Sequence, residues 1–147
     1  MIEEFAEAWG ENEARLTEYL KANIDKMEYS YLRLVQIVFD EVINPYLEKI
    51  NKYRFDKHTF STDKDEITEI DNGEYQGTLI FAIHENGYQS EERYVFTAVD
   101  YGSCSGCDTL MEIESRSDEE DKIRGLKTLC LHLLQQCVRP FKEEDID

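Results

Sequence analysis

Basic residues are scarce in this chain. Sixteen Lys and Arg stand against thirty-three Asp and Glu, a formal charge of −17 with a pI near 4.5. No basic cluster is visible, and such a charge repels phosphate backbones and anionic membrane surfaces, so direct nucleic-acid binding is not expected. Long apolar runs are missing too. The greasiest stretch, LVQIVFDEVI, is interrupted by Gln36, Asp40 and Glu41 and falls short of a membrane span. The first residues, MIEEFAEAWGENEARL, hold neither a basic n-region nor an apolar h-region, which predicts no secretory signal and a cytoplasmic chain with reduced cysteines. Histidine is limited to His58, His84 and His132 on separate segments, which offers no nucleophile–base couple. H-E-x-x-H, G-x-S-x-G, P-loop and dinucleotide fingerprints are all lacking, as are repeats and low-complexity segments. Nothing here points to catalysis.

What is present suffices for one folded domain. A length of 147 residues, with 41% apolar and 12% aromatic, can bury a core that offsets the entropy of ordering. Residues 3–21 carry Phe5, Ala8, Trp9, Leu16, Tyr19 and Leu20 at helical spacing, with Gly10 expected to divide them into two short helices. Over 28–44, Tyr31, Leu34, Val35, Val38 and Val42 form one stripe that Leu32, Ile37, Phe39 and Ile43 widen, the mark of a central buried helix. Asn44-Pro45 predicts a kink or a restart behind an Asn cap, with helix resuming through Tyr46, Leu47 and Ile50.

The period then becomes alternating. Residues 55–64 read as a polar connection. The run 66–70 meets Asp71-Asn72-Gly73, a hairpin signal of type I′. Residues 75–84 alternate Leu79, Phe81 and Ile83 with Ile80, Ala82 and His84. After a second turn at Glu85-Asn86-Gly87, residues 93–101 alternate Val95, Thr97 and Val99 with Tyr94, Phe96 and Ala98. Ser117 to Glu120 fits a capping box, and Ile123, Leu126, Leu129, Cys130, Leu133, Leu134 and Cys137 form the apolar face of a last helix ended by Pro140. The expected fold is therefore α+β: N-terminal helices, a three-stranded antiparallel meander, and a long C-terminal helix packed on the sheet. One domain spans 1–147, helical over 1–53, sheet over 65–114, helix over 118–139 and a frayed tail over 140–147.

The meander delivers the chain into Gly102-Ser-Cys-Ser-Gly-Cys-Asp108, with Cys104 and Cys107 two residues apart. As a redox pair, Cys107 would be favoured by a short helix capped by Asp108, in a superficially thioredoxin-like strand–CxxC–helix order. Against that stand the hairpins upstream in place of a βαβ unit, the lack of any proline between the motif and Pro140, and the like charge of Asp108. As a metal site, Cys104 and Cys107 supply two of zinc's four ligands at a favoured spacing. Cys130, His132, Cys137, His58 and His84 are the candidates for the rest. Cys130 and Cys137 fall on the core stripe, where packing is their ordinary role, so a site completed between two protomers is the other arrangement. As a turn, the glycines and serines simply shape the passage from strand to helix. No Lys or Arg stands by to hold a phosphate, and the Cys-x5-Arg phosphatase spacing fails because Ile113 and Leu110 occupy the required positions. Asp100 and Asp108 would at most form an acidic rim.

Two stretches, Tyr75-Gln76-Gly77-Thr78 and Tyr101-Gly-Ser-Cys-Ser-Gly-Cys-Asp-Thr-Leu110, resemble a group of small bacteriophage-encoded proteins. These share a Y/D-Q-G strand and a G-S-C-S-G-C-D-x-L knuckle. The resemblance covers residues 74–112 and implies phage origin and a place in the host cytoplasm, without an activity. Together these readings favour a non-enzymatic acidic protein that engages a host or phage protein through a negatively charged surface; the resemblance adds the idea of an inhibitor that presents carboxylates in place of nucleic-acid phosphates. The alternative is a metal- or thiol-dependent protein centred on Cys104 and Cys107, with zinc as the cofactor and homodimerisation as one way to complete the site.

Overall fold

The computed structural model describes residues 1–52, 58–74, 76–86 and 93–139. Helix α1 (Glu3–Asn23) runs unbroken through Gly10. The expected division does not occur, because an isolated exposed glycine costs only about 1 kcal/mol of helix propensity, which burial of Phe5, Ala8, Leu16 and Leu20 on the same helix outweighs.

Helix α2 (Tyr31–Val38) begins at Ser30, whose hydroxyl accepts the Arg33 N–H at 3.1 Å. It passes through a π-helical turn (Phe39–Ile43) into α3 (Asn44–Ile50). The interruption expected at Asn44-Pro45 thus takes the form of a widened turn just ahead of the proline, which lacks the N–H that would continue the ladder. Asn44 is not the cap. Its amide bonds Phe60 instead, donating to the carbonyl at 2.8 Å and accepting the N–H at 2.7 Å.

The sheet is built on β3 (Gly77–Asn86). Strand β4 (Arg93–Tyr101) pairs along its length in antiparallel register, from Gly77 opposite Tyr101 to Glu85 opposite Arg93. The other edge of β3 is shared by β2 (Ile67–Asp71) and by a two-residue strand, β1 (Thr59–Phe60), inside the segment expected to be only a connection. Strands β2, β3 and β4 are the expected meander. The β2–β3 turn is not type I′, since no described residue has positive φ. Its loop is longer, closed by the Asn72 side chain accepting Thr78 N–H at 2.7 Å. Tyr75 and the tip beyond Asn86 lie outside the described residues.

Helix α4 (Thr109–Glu114) follows the knuckle, and α5 (Glu119–Gln135) starts one residue later than a Ser117 cap would place it. Asp118 is the cap, its carboxylate accepting Glu120 N–H at 3.1 Å. The helix ends at Gln135, after which Val138 forms an isolated bridge with Phe96; the expected stop at Pro140 and the tail lie outside the described residues. Helix α5 lies on the sheet and against α1 and α2, with Thr97 Oγ1 donating to the Leu133 carbonyl at 2.5 Å. One core results. Phe81, Ile83, Val95 and Val99 from the sheet meet Phe5, Phe39, Leu126, Leu133 and Cys130 from the helices, and Phe5, Phe39 and Phe60 stack edge to face. Among the described residues, no helix is long and apolar enough to cross a membrane.

Candidate functional site

At the end of β4 the chain turns at Gly102 and winds one helical turn over the two cysteines. The Cys104 carbonyl accepts from both Cys107 N–H (3.0 Å) and Asp108 N–H (2.8 Å). Glycine is required at 102 by close approach: a Cβ there would stand 2.4 Å from the Cys107 carbonyl oxygen and 2.8 Å from its sulfur. Gly106 faces no such constraint, the nearest atom being Cys104 Sγ at 3.9 Å.

Asp108 fastens this turn to the rest of the molecule. It is 6% exposed, and both carboxylate oxygens are engaged. Oδ2 accepts Gly102 N–H at 2.9 Å, closing the ring 102–108. Oδ1 accepts Met111 N–H at 3.0 Å as the cap of α4, and the Tyr31 hydroxyl at 2.9 Å. Tyr31, the first residue of α2, in turn accepts Leu110 N–H at 3.2 Å. Burial, reinforced by the neighbouring carboxylate and opposed by the Leu110 N–H, pushes the Tyr31 phenol well above its usual range. A cleft of about 140 Å³ opens beside this network, lined by Tyr29, Ser30, Tyr31, Asp108, Leu110 and Met111 among others. It is well below the size of a drug-like ligand site.

The two sulfurs lie on the outside of the turn, exposed and 2.9 Å apart. Cys107 Sγ accepts Cys104 N–H at 3.2 Å, and Ser103 Oγ stands 3.9 Å away. The Cys104 thiol, then the Cys104 N–H, hold the Cys107 thiol below its usual range. The cause differs from the helix end anticipated for it, and the Asp108 carboxylate is occupied by donors from Gly102, Met111 and Tyr31. The acidic rim does not form either: Asp100 is exposed and accepts from Thr78 Oγ1 at 2.8 Å, while Asp108 is buried.

The remaining metal candidates are not gathered here. Cys130 and Cys137 are buried, and burial pushes both thiols up to about 12. His132 is exposed on α5, His84 bonds Asn86 at 3.2 Å, and His58 stands 3.8 Å from Glu85. Among the described residues, no group of three or more His, Cys, Asp and Glu side chains is placed to hold a metal ion. Two tetrahedral Zn–S bonds of about 2.3 Å would also set the sulfurs about 3.8 Å apart, wider than they stand. Among the described residues, the knuckle brings together the two thiols of Cys104 and Cys107 and no further metal-ligating side chain.

Two further features escaped the sequence reading. Glu85, read as a turn residue, is a buried strand residue paired with Arg139 at 2.7 Å. The second is the outer face of the sheet. Cross-strand rows there join Ile70 to Ile80 and Ala98, and Thr68 to Ala82 and Phe96, on the side opposite the core. Ile70 is 48% exposed, and none of Ile70, Ile80, Phe96 and Ala98 belongs to the core cluster. The alternation was visible in the sequence, but not which face the helices would leave.

Fold and site together define an α+β protein with an exposed dithiol turn and a second apolar sheet face. No protein family, curated protein or solved structure matches the chain.

Proposed function

We propose that this chain is a non-enzymatic binding protein that engages a basic protein partner, the outer face of its sheet forming the apolar centre of the contact. The observation that carries this reading is the row Ile70–Ile80–Ala98, with Phe96 beside it, standing outside the core. Apolar side chains at the centre of a contact supply affinity, while charge sets partner choice and encounter rate. The charge available is strongly acidic. Arg15, Lys21, Lys49, Arg116, Arg124, Lys127 and Arg139 are already paired with carboxylates of the same chain, and the net charge of −17 remains. The resemblance of the knuckle to phage-encoded proteins supports a host or phage protein as the partner, met in the host cytoplasm. Immobilised protein challenged with bacterial lysate at graded salt tests this, alongside an Ile70→Asp/Ile80→Asp variant with an unchanged unfolding midpoint. Basic proteins should be retained by the parent chain, released as salt rises, and missed by the variant. Retention of nothing, or of the same proteins by both chains at high salt, would refute the reading.

A further inference from the structure

We propose that Cys104 and Cys107 form a reactive dithiol that exchanges with low-molecular-weight disulfides, Cys107 making the first attack and Cys104 closing an intramolecular disulfide. Both thiols are exposed, lie in one helical turn, and bring their sulfurs within 2.9 Å of each other, so closure needs no rearrangement of the elements around them. Their surroundings are unequal. Cys107 Sγ receives the Cys104 N–H, and its space exists because Gly102 has no side chain: a Cβ there would lie 2.8 Å from that sulfur. Donors directed at a sulfur stabilise it as the attacking anion and as the leaving group in the reverse step. The base of the turn is held by Asp108 through Gly102, Met111 and Tyr31, which keeps the two sulfurs together whichever partner leaves.

The exchange balances without any other oxidant. The Cys107 thiolate bonds to one sulfur of the incoming disulfide, whose S–S bond breaks, and the released thiolate takes up a proton. Cys104 then loses its proton to solvent and attacks the Cys107 sulfur, expelling the second thiolate, which is protonated in turn. The protein gives up two electrons and two protons, and the disulfide becomes two thiols. The acid excess adds a selectivity: a chain of charge −17 repels an anionic disulfide and is indifferent to a neutral one. Neutral disulfides are therefore the preferred class.

The full chain, reduced and freed of reductant, is treated with hydroxyethyl disulfide (neutral) or oxidised glutathione (anionic), then alkylated without denaturant and weighed intact. Reduced protein should take up label at Cys104 and Cys107, with buried Cys130 and Cys137 silent as internal references. Treated protein should lose that label and the mass of two hydrogens, and recover both on reduction. The neutral reagent should act faster, with the gap narrowing as salt rises. Cys104→Ser should trap one mixed disulfide at Cys107, and Cys107→Ser should form its adduct more slowly. Label retained after treatment, equal trapping by the two variants, or a disulfide joining two chains would overturn the assignment. So would zinc at one ion per two chains with both thiols protected, which would return the pair to a shared metal site.

Discussion

Replacing Asp108 by Ala removes a side chain that joins the knuckle, α4 and α2. Three hydrogen bonds end on its carboxylate, from Gly102 N–H at 2.9 Å, Met111 N–H at 3.0 Å and Tyr31 O–H at 2.9 Å. The Met111 bond is a helix cap, worth about 1 kcal/mol. Each of the others contributes about 1 kcal/mol net, and more where the donor is left buried and unpaired, as the Tyr31 hydroxyl would be. The sum is roughly 3–4 kcal/mol, which for a chain of this length lowers the melting temperature by about 10 °C. Urea unfolding should show this as a lower midpoint at unchanged slope. Asp100→Ala is the control: exposed, with one bond from Thr78, it should move stability by less than about 0.5 kcal/mol. Tyr31→Phe should cost about 1 kcal/mol alone and less in the Asp108→Ala background, because the partner has already gone. A loss below about 1 kcal/mol for Asp108→Ala, or strict additivity with Tyr31→Phe, would refute the strap.

Alanine at Gly102 should cost about 1–3 kcal/mol by overpacking against the Cys107 carbonyl, whereas Gly106→Ala should be nearly neutral; equal urea midpoints for the two would contradict the close approach. The buried thiols predict alkaline instability. Cys130 and Cys137 ionise at about 12 in the folded chain and near 9 when unfolded, so their contribution is complete below pH 9 and is lost as pH climbs from 9 towards 12. Each removes about 1 kcal/mol per pH unit in that window, and a Cys130→Ala/Cys137→Ala variant should lose stability less steeply between pH 9 and 10 than the parent. Identical slopes would show that these thiols are not linked to folding.

The period of the apolar residues announced the main architecture, because burial in a small protein is set by faces: 3.6-residue spacing through Leu34, Val35 and Val38, and two-residue spacing through Phe81, Ile83, Val95 and Val99. Local chemistry misled where tertiary contacts prevailed. Gly10 looked like a break, yet the core residues on either side carry the helix across it. Asn72-Gly73 suggested a two-residue turn, but the Asn72 side chain replaces the backbone in closing a longer loop. Ser117 and Asp118 could each cap α5, and only the three-dimensional path selects Asp118. At the candidate site, the cysteine pair and the capping role of Asp108 were legible in the sequence. Tyr31 was not, since 77 residues separate it from the carboxylate it reaches. Nor was the need for glycine at 102, which arises from a carbonyl and a sulfur five positions away.

The π-helical turn before Pro45 has an effect at the margin of the sheet. By setting Asn44 against Phe60, it lets one side-chain amide mimic a neighbouring strand, taking both the N–H and the C=O that an added strand would seek on β1. Val138 occupies Phe96 in the same way on β4, through bonds of 2.8 Å in each direction. The remaining stretch, β2, presents exposed Glu69 and Asp71. Side chain, the Val138 backbone and charge thus each guard one border against edge-to-edge assembly, leaving the outer face of the sheet as the surface on which the proposed contact would fall.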